Sequence, residues 1–198
     1  MSVEHAVAFF TFALVAAITP GPSNVMLTAT GAAVGIVRGV PCLIGVLAGM
    51  GLLIFAFAIG LGQLVLAHAF ILKAMNGLGA AFLLWLAWKI ASSRPTAGKP
   101  PAKPAGFLEA LAFQWVNPKS WLVSASAVGT YLGSDTGTIL PQAGLFTSLF
   151  LAAALPSGLV WLAFGASLQR LLTSERRART FNLIMAASLA ASVALIIW

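Results

Sequence analysis

Charged residues are scarce in this chain. Of its 198 residues, 8% are charged and 60% are hydrophobic, whereas an ordinary globular chain carries about 25% charged residues. A water-soluble fold of this size cannot bury so much apolar surface in a single core. The surplus must face lipid, and the composition therefore argues against a soluble domain.

Acidic residues, cysteine and histidine are also few, with four Asp and Glu residues, one cysteine and two histidines. A single cysteine, Cys42, excludes an internal disulfide and a CxxC redox pair. His5 and His68 are too far apart in the sequence to suggest a zinc cluster. We expect no metal ligand set, no cofactor and no enzyme, because no Ser–His pair or paired carboxylate falls within the apolar segments.

The chain is instead rich in long apolar runs. They lack the alternation of barrel strands, and they predict helices because backbone groups in lipid must be hydrogen-bonded internally. A spanning helix needs about 20 mostly apolar residues. Six runs qualify, at residues 6–34, 40–66, 70–90, 107–132, 139–168 and 181–198. We therefore expect an all-α polytopic membrane protein with one membrane domain over residues 1–198.

Basic residues cluster after the first, third and fifth predicted spans. The positive-inside rule places these connections in the cytoplasm and both termini outside. The net charge of +7 is then explained by topology and contact with lipid headgroups, and nucleic-acid binding is not expected. The residues are Arg38, Lys89, Arg94, Lys99, Lys103, Arg170, Arg176, Arg177 and Arg179.

A polar, Pro-rich stretch at residues 92–106 divides the chain into two halves, residues 1–91 and 107–198. Each half has three predicted spans, and an odd number makes the halves enter the membrane from opposite faces. This arrangement is an inverted repeat, which is common in secondary transporters.

Each half also has a proline break within its first span, at residues 19–22 (TPGP) and 117–119 (NPK). Proline interrupts the helix ladder, and Thr or Asn before a Pro is a favourable helix start. We therefore expect Thr19 and Asn117 to be N-caps of two half-helices in mid-membrane. Their positive ends would point at one central region that attracts an anion.

Lys119 would add a full charge to this site. It lies about 13 residues into its span, beyond the reach of a lysine stem to the interface, and intramembrane lysines usually serve function. A substrate carboxylate is expected at Lys119 and the helix ends, and the amino group at carbonyls freed by the breaks, or at Asn24. The predicted site comprises Thr19, Pro20, Gly21, Pro22, Ser23, Asn24, Gln114, Asn117, Pro118 and Lys119.

Several of these features have structural alternatives. The prolines can simply kink the helices. Asn76 and Glu109 are candidates for a cavity or gate, but Asn76 can also bond a neighbouring helix and Glu109 can be a solvated interface residue. Glycines spaced by four, as in Gly31 with Gly35 and Gly45 with Gly49, predict close helix packing within the chain or in a dimer.

Residues 17–24 (AITPGPSN) resemble the Pro-Gly-Pro signature of the lysine-exporter (LysE/RhtB) family of bacterial amino-acid efflux proteins. Asn117-Pro118-Lys119 resembles that family's Asn-Pro-Lys motif, and the length and number of spans agree over the whole chain. The resemblance implies efflux of amino acids or related metabolites across the bacterial inner membrane, driven by the membrane potential or a proton gradient. It also suggests a homodimer.

One departure from the family bears on the substrate. Members that export basic amino acids are expected to carry an intramembrane acid, but residues 43–66 contain none and Asp135 lies outside the spans. A neutral amino acid or a similar small carboxylate is therefore the expected solute. The alternatives are a divalent-cation or other small-solute exporter, an intramembrane enzyme, and a membrane assembly factor that transports nothing.

Overall fold

A computed structural model describes residues 2–92, 105–132, 139–168 and 174–197. Most of the predicted linker at 92–106, as well as Asp135 and Arg170, lies outside these ranges. Within them the chain forms eight α-helices and one π-helical segment, and no strand. They are α1 Val3–Ile18, α2 Pro22–Ala56, the π-helix Phe57–Leu61, α3 Gly62–Ala67, α4 Ala69–Ser92, α5 Phe107–Val116, α6 Pro118–Tyr131, α7 Ile139–Leu168 and α8 Glu175–Ile197.

The all-helical class is thereby confirmed. By length and composition, the helical stretches Pro22–Leu61 and Ile139–Leu168 are able to cross a membrane. The shorter apolar helices Val3–Ile18 and Phe107–Val116 each end at one of the two proline breaks. The number of six spans, the inverted repeats and the orientation of the termini stay predictions.

The long helix α2 folds back on itself at Gly35. The φ and ψ angles of Gly35, 80° and −177°, lie in a region that only glycine readily adopts. Thr30 Oγ1 and Cys42 Sγ are 3.6 Å apart, although a straight helix would separate them by about 18 Å. We call residues 22–34 the first arm of α2 and residues 36–56 its second arm. Gly35 forms this turn, and nothing lies within 4 Å of a Cβ built there. The expected packing of Gly35 within the chain is therefore wrong, and its packing in a dimer stays a prediction.

Three sets of helices pack side by side at the centre of the protein: α1 with the first arm, the second arm, and α5 with α6. The set formed by α1 and the first arm is antiparallel to α5 and α6, since the Phe9 ring near the start of α1 lies 5.4 Å from the ring of Tyr131 at the end of α6. The second arm is parallel to α5 and α6, since it meets them in order, from Gly45 against the Phe107 carbonyl to Phe57, just beyond its end, against Trp121.

The first arm and α7 touch through their backbones. A Cβ added to Gly31 would lie 2.1 Å from the carbonyl oxygen of Leu162, and one added to Gly165 would lie 2.0 Å from that of Thr28. The Thr28 hydroxyl donates across the same crossing to the Trp161 carbonyl at 3.3 Å. Small residues permit such close approach in membrane helices, and the predicted packing role of Gly31 is confirmed.

Aromatic rings from α1, α6 and α7 pack against one another near the N-terminal end of α1. Phe9 is fully buried, and its ring centroid is 4.7 Å from that of Phe146. Tyr131 lies 5.6 Å from Phe12 and 6.2 Å from His5. We call these five residues the ring cluster.

The helices α4 and α8 form a second packed pair. Ala80 and Ala87 of α4 join Met185 and Leu189 of α8 in one apolar cluster, to which Val25 of the first arm also belongs. Elsewhere α4 exposes large apolar side chains, since Phe70 and Trp88 are 82% and 68% exposed. Apolar surface of this kind is typical of contact with lipid.

Candidate substrate site

The first break separates α1 from α2. Thr19 has a ψ of 128°, as expected for a residue that precedes proline, and the helix resumes only at Pro22, with Gly21 as N-cap. The Thr19 hydroxyl donates backwards, to the Val15 carbonyl at 2.6 Å. The predicted N-cap role of Thr19 is therefore wrong, because the second proline of the motif, and not the first, occupies the first helical position.

The second break separates α5 from α6 at Asn117. Its Oδ1 accepts a hydrogen bond from the Lys119 amide at 3.2 Å, and Pro118 occupies the first position of α6. The predicted N-cap role of Asn117 is thus confirmed. On the α5 side, the indole of Trp121 donates to the Trp115 carbonyl at 2.8 Å, which satisfies a group that the break removes from the ladder.

The two breaks meet through a chain of hydrogen bonds. Asn117 Nδ2 donates to Ser23 Oγ at 3.0 Å, and Ser23 Oγ donates to Gln114 Oε1 at 2.9 Å. Ser120 donates to the same Gln114 oxygen at 2.8 Å, and Gln114 Nε2 donates to the Ala110 carbonyl at 3.1 Å. Gln114, Asn117 and Ser120 are at most 3% exposed. A buried and satisfied network of this kind holds its helices in one arrangement.

Lys119 crosses from the second break to the first. Its ammonium donates to the carbonyls of Thr19 and Pro20, and its stem lies on Gly21, where an added Cβ would come within 2.6 Å of Lys119 Cδ. A cation is favoured at the C-terminal end of a helix, as at the end of α1. The charge of one half of the chain is therefore held by the backbone of the other half.

Asn24 also caps the C-terminal end of α1. Its Nδ2 donates to the Ala17 carbonyl at 3.1 Å and to the Thr19 carbonyl at 2.9 Å. Carbonyls at the first break are the expected partners of a substrate's amino group. Three of them, those of Ala17, Thr19 and Pro20, already accept hydrogen bonds from Asn24 or Lys119. The Oδ1 atom of Asn24 is the part of this side chain left for a solute.

A cavity of about 60 Å³, measured as the space open to the centres of water molecules, lies beside the breaks. One water needs about 10–15 Å³ on this measure, so the space admits several waters or part of a small solute. Polar side chains from α2, α5 and α6 form one wall, and apolar side chains from both arms of α2 and from α7 form most of the rest. Of the predicted site residues, those that line the cavity are Gly21, Ser23, Asn24, Gln114, Asn117 and Lys119.

The remaining predicted residues are placed differently. Thr19, Pro20, Pro22 and Pro118 shape the breaks and do not line the cavity. Glu109 is exposed at the start of α5, where its Oε2 accepts from the Gly106 amide at 2.7 Å. The side chain of Asn76 lies outside what the structure describes. The gate or cavity roles of Glu109 and Asn76 stay predictions.

Two lining hydroxyls were missed by sequence reasoning. Ser120 directly follows the Asn-Pro-Lys motif, so its place in the first turn of α6 was a usable signal. Ser157 lies on α7 directly after Pro156, and the cavity lining includes it together with Phe150, Ala154 and Gly158. Nothing in the local sequence indicates which way this serine faces.

Replacing Asn24 by leucine should destabilise the protein. The variant loses both donors to the end of α1. The Thr19 carbonyl keeps its bond from Lys119, but the half-buried Ala17 carbonyl loses the donor that Asn24 supplies, at a cost of about 1–3 kcal/mol. We expect the melting temperature of the purified protein in detergent to fall by about 5 °C or more. Thr11→Val is the matched control, because it removes an exposed hydroxyl that bonds only to the Val7 carbonyl. An unchanged melting temperature for Asn24→Leu would contradict the capping role.

Apolar helices that break around a cavity walled by a lysine and two helix starts form the architecture of a membrane transporter. The comparison with known proteins agrees. This chain belongs to the LysE type translocator family, whose match spans residues 14–197. The family resemblance indicated by the two proline motifs is confirmed.

Its relatives include proteins named as cysteine/O-acetylserine efflux proteins. The chain is 34% identical over 165 residues to the cysteine/O-acetylserine efflux protein of Klebsiella pneumoniae subsp. pneumoniae, with 83% of each chain covered. It is 31% identical over 180 residues to the protein of that name from Salmonella paratyphi A and 28% identical to that of Escherichia coli strain K12, with 90% of each chain covered. No solved structure matches the chain.

Proposed function

We propose that this protein exports a neutral amino acid, or a related small carboxylate metabolite, across the bacterial inner membrane by secondary-active transport. The observation that carries the proposal is the meeting of the two breaks at a cavity whose wall contains the Lys119 ammonium. Intramembrane cations of this kind are costly and usually serve function.

The substrate's carboxylate is the group that this wall fits. A lysine ammonium has three donors, of which two point to the carbonyls of Thr19 and Pro20, so one remains for the solute. The first N–H groups of α2, those of Ser23 and Asn24, have no carbonyl within the helix to bond. Together with the positive end of the helix, these donors favour a bound carboxylate.

The apolar part of the cavity lining favours an uncharged side chain. It includes Leu27, Leu43, Val46, Met50 and Phe150, and no acidic side chain is among the residues that the structure places around the cavity. A basic side chain would have no counter-ion there. The relatives' names support this class, because cysteine and O-acetylserine each combine one carboxylate with an uncharged side chain.

Alternating access between two inverted halves is the proposed mechanism, in a chain with six spans and both termini outside. Two observations support it. The two broken spans are antiparallel, since Phe9 lies against Tyr131, and their breaks meet, since Ser23 beside one break bonds Gln114 and Asn117 beside the other. Rocking of the halves around this level would expose the cavity to each side of the membrane in turn.

Counterflow in proteoliposomes tests the proposed function. Vesicles that contain the purified full-length chain and unlabelled L-serine or O-acetyl-L-serine should accumulate the same labelled solute, whereas protein-free vesicles should not. L-Lysine and L-glutamate serve as charged controls and should not exchange. Flux of Mn²⁺ without amino-acid exchange would favour a cation exporter, and absence of any flux would favour the assembly factor.

A further inference from the structure

We infer that Ser157 forms a subsite on α7 for the polar atom of the substrate's side chain. The transported amino acids would then be those whose short side chain carries one uncharged hydroxyl, thiol or ester group. This inference rests on the proposed function and narrows it, because it assigns the part of the cavity that faces away from the carboxylate.

Ser157 is the polar member of an otherwise apolar face. The residues by which α7 lines the cavity are Phe150, Ala154, Ser157 and Gly158, and their spacing of four, seven and eight places them on one side of a helix. The other polar lining residues all come from α2, α5 and α6. The α7 wall therefore offers a solute one polar group in apolar surroundings.

The hydroxyl of Ser157 is unsatisfied. The residue is 3% exposed, and its Oγ has no hydrogen-bond partner. Helical Ser and Thr side chains usually bond a carbonyl one turn back, as Ser148 does to Gly144 and Thr28 does to Asn24. A buried hydroxyl without a partner is unfavourable. Rotation about its single χ angle can turn it toward a bound solute while α7 stays in place.

The polar side chains that α2, α5 and α6 contribute to the cavity lining already make hydrogen bonds within the protein. Ser23, Gln114, Asn117 and Ser120 bond one another, and Asn24 bonds the end of α1. Among the described residues that line the cavity, Ser157 is thus the hydroxyl that keeps its whole hydrogen-bonding capacity for a ligand.

The surroundings of Ser157 suit a neutral group better than the substrate's ammonium. The adjacent Gly158 faces the side chains of Leu27 and Leu43, and a charge placed among such groups without a counter-charge is strongly disfavoured. One hydroxyl can instead donate to, or accept from, a single uncharged polar atom. With the carboxylate at Lys119, the end of the side chain is the part of the solute that reaches α7.

The ratio of L-serine to L-alanine transport by the reconstituted full-length protein tests this subsite, because these probes differ by one hydroxyl. The wild type should prefer serine. In Ser157→Ala this preference should fall about fivefold or more, because serine loses a hydrogen bond that alanine does not make. Ser124→Ala is the matched control, because the Ser124 hydroxyl is also buried and unpartnered but does not line the cavity. The control should keep the wild-type ratio.

The outcomes separate the subsite from its alternatives. An equal loss of serine and alanine transport in Ser157→Ala would overturn the inference, since it would point to the ammonium or to a packing role. An unchanged ratio would overturn it as well. Ser157→Gly, which also removes the hydroxyl and adds no atoms, should give the same reduced ratio. A wild type that exchanges L-serine without preference over L-alanine would overturn the subsite alone. A wild type that exchanges neither of these probes nor O-acetyl-L-serine would refute the proposed function, and the subsite with it.

Discussion

Exchange of Lys119 for methionine should reduce amino-acid counterflow by at least about 100-fold, with the protein still inserted and folded. Methionine keeps a stem of similar length against Gly21 but removes the charge and the donor that remain for a carboxylate. Loss of one partner of a buried charge pair costs about 2–5 kcal/mol, and each 1.4 kcal/mol is about a factor of ten in affinity. The measurement is counterflow in proteoliposomes at matched protein content.

Lys73→Met is the control for a general effect of charge removal. Lys73 is an exposed lysine of α4 and does not line the cavity, so its variant should retain wild-type counterflow. Size-exclusion profiles should show that both variants are monodisperse. A well-folded Lys119→Met protein with normal transport would contradict the assignment of the site.

Among the glycines that the structure describes, Gly165 should be the one whose replacement by alanine destabilises the protein most. The new Cβ would lie 2.0 Å from the Thr28 carbonyl oxygen, and the three nearest atoms all belong to the backbone of the first arm. Relief therefore requires that whole helices move apart. Overpacking of this kind costs about 3 kcal/mol or more, and we expect the melting temperature in detergent to fall by about 6–12 °C.

Gly144→Ala provides the matched control on the same helix. Nothing lies within 4 Å of a Cβ built at Gly144, and alanine is a better helix former than glycine by about 1 kcal/mol. This variant should melt at or slightly above the wild-type temperature. If the two variants melted together, the close crossing of α2 and α7 would be wrong.

The breaks at residues 19–22 and 117–119 could be predicted in part from local chemistry, because proline lacks a backbone donor. Proline alone does not decide where a helix breaks, since Pro41 and Pro156 lie inside α2 and α7. Asn117 capped as expected, because a single proline follows it. Thr19 did not, because two prolines stand two residues apart and only packing decides which of them begins α2.

Contacts between the halves could not be predicted in detail. Ser23 and Gln114 are 91 residues apart, and their hydrogen bond depends on the antiparallel course of two broken helices. Gly35 was misinterpreted because a glycine spacing of four indicates packing, whereas its backbone angles depend on where the two arms of α2 dock. The direction of the Ser157 hydroxyl is likewise set by neighbours on other helices.

The ring cluster gives the protein a built-in spectroscopic reporter. Tyr131 is the one tyrosine of the chain, and it lies among the rings of His5, Phe9 and Phe12. Isotope-labelled tyrosine would therefore yield a single set of ring resonances whose chemical shifts depend on the stacking of these neighbours. If the proposed rocking of the two halves separates α1 from α6, these resonances should shift during transport, and the shift can be measured in the unmodified protein without an engineered probe.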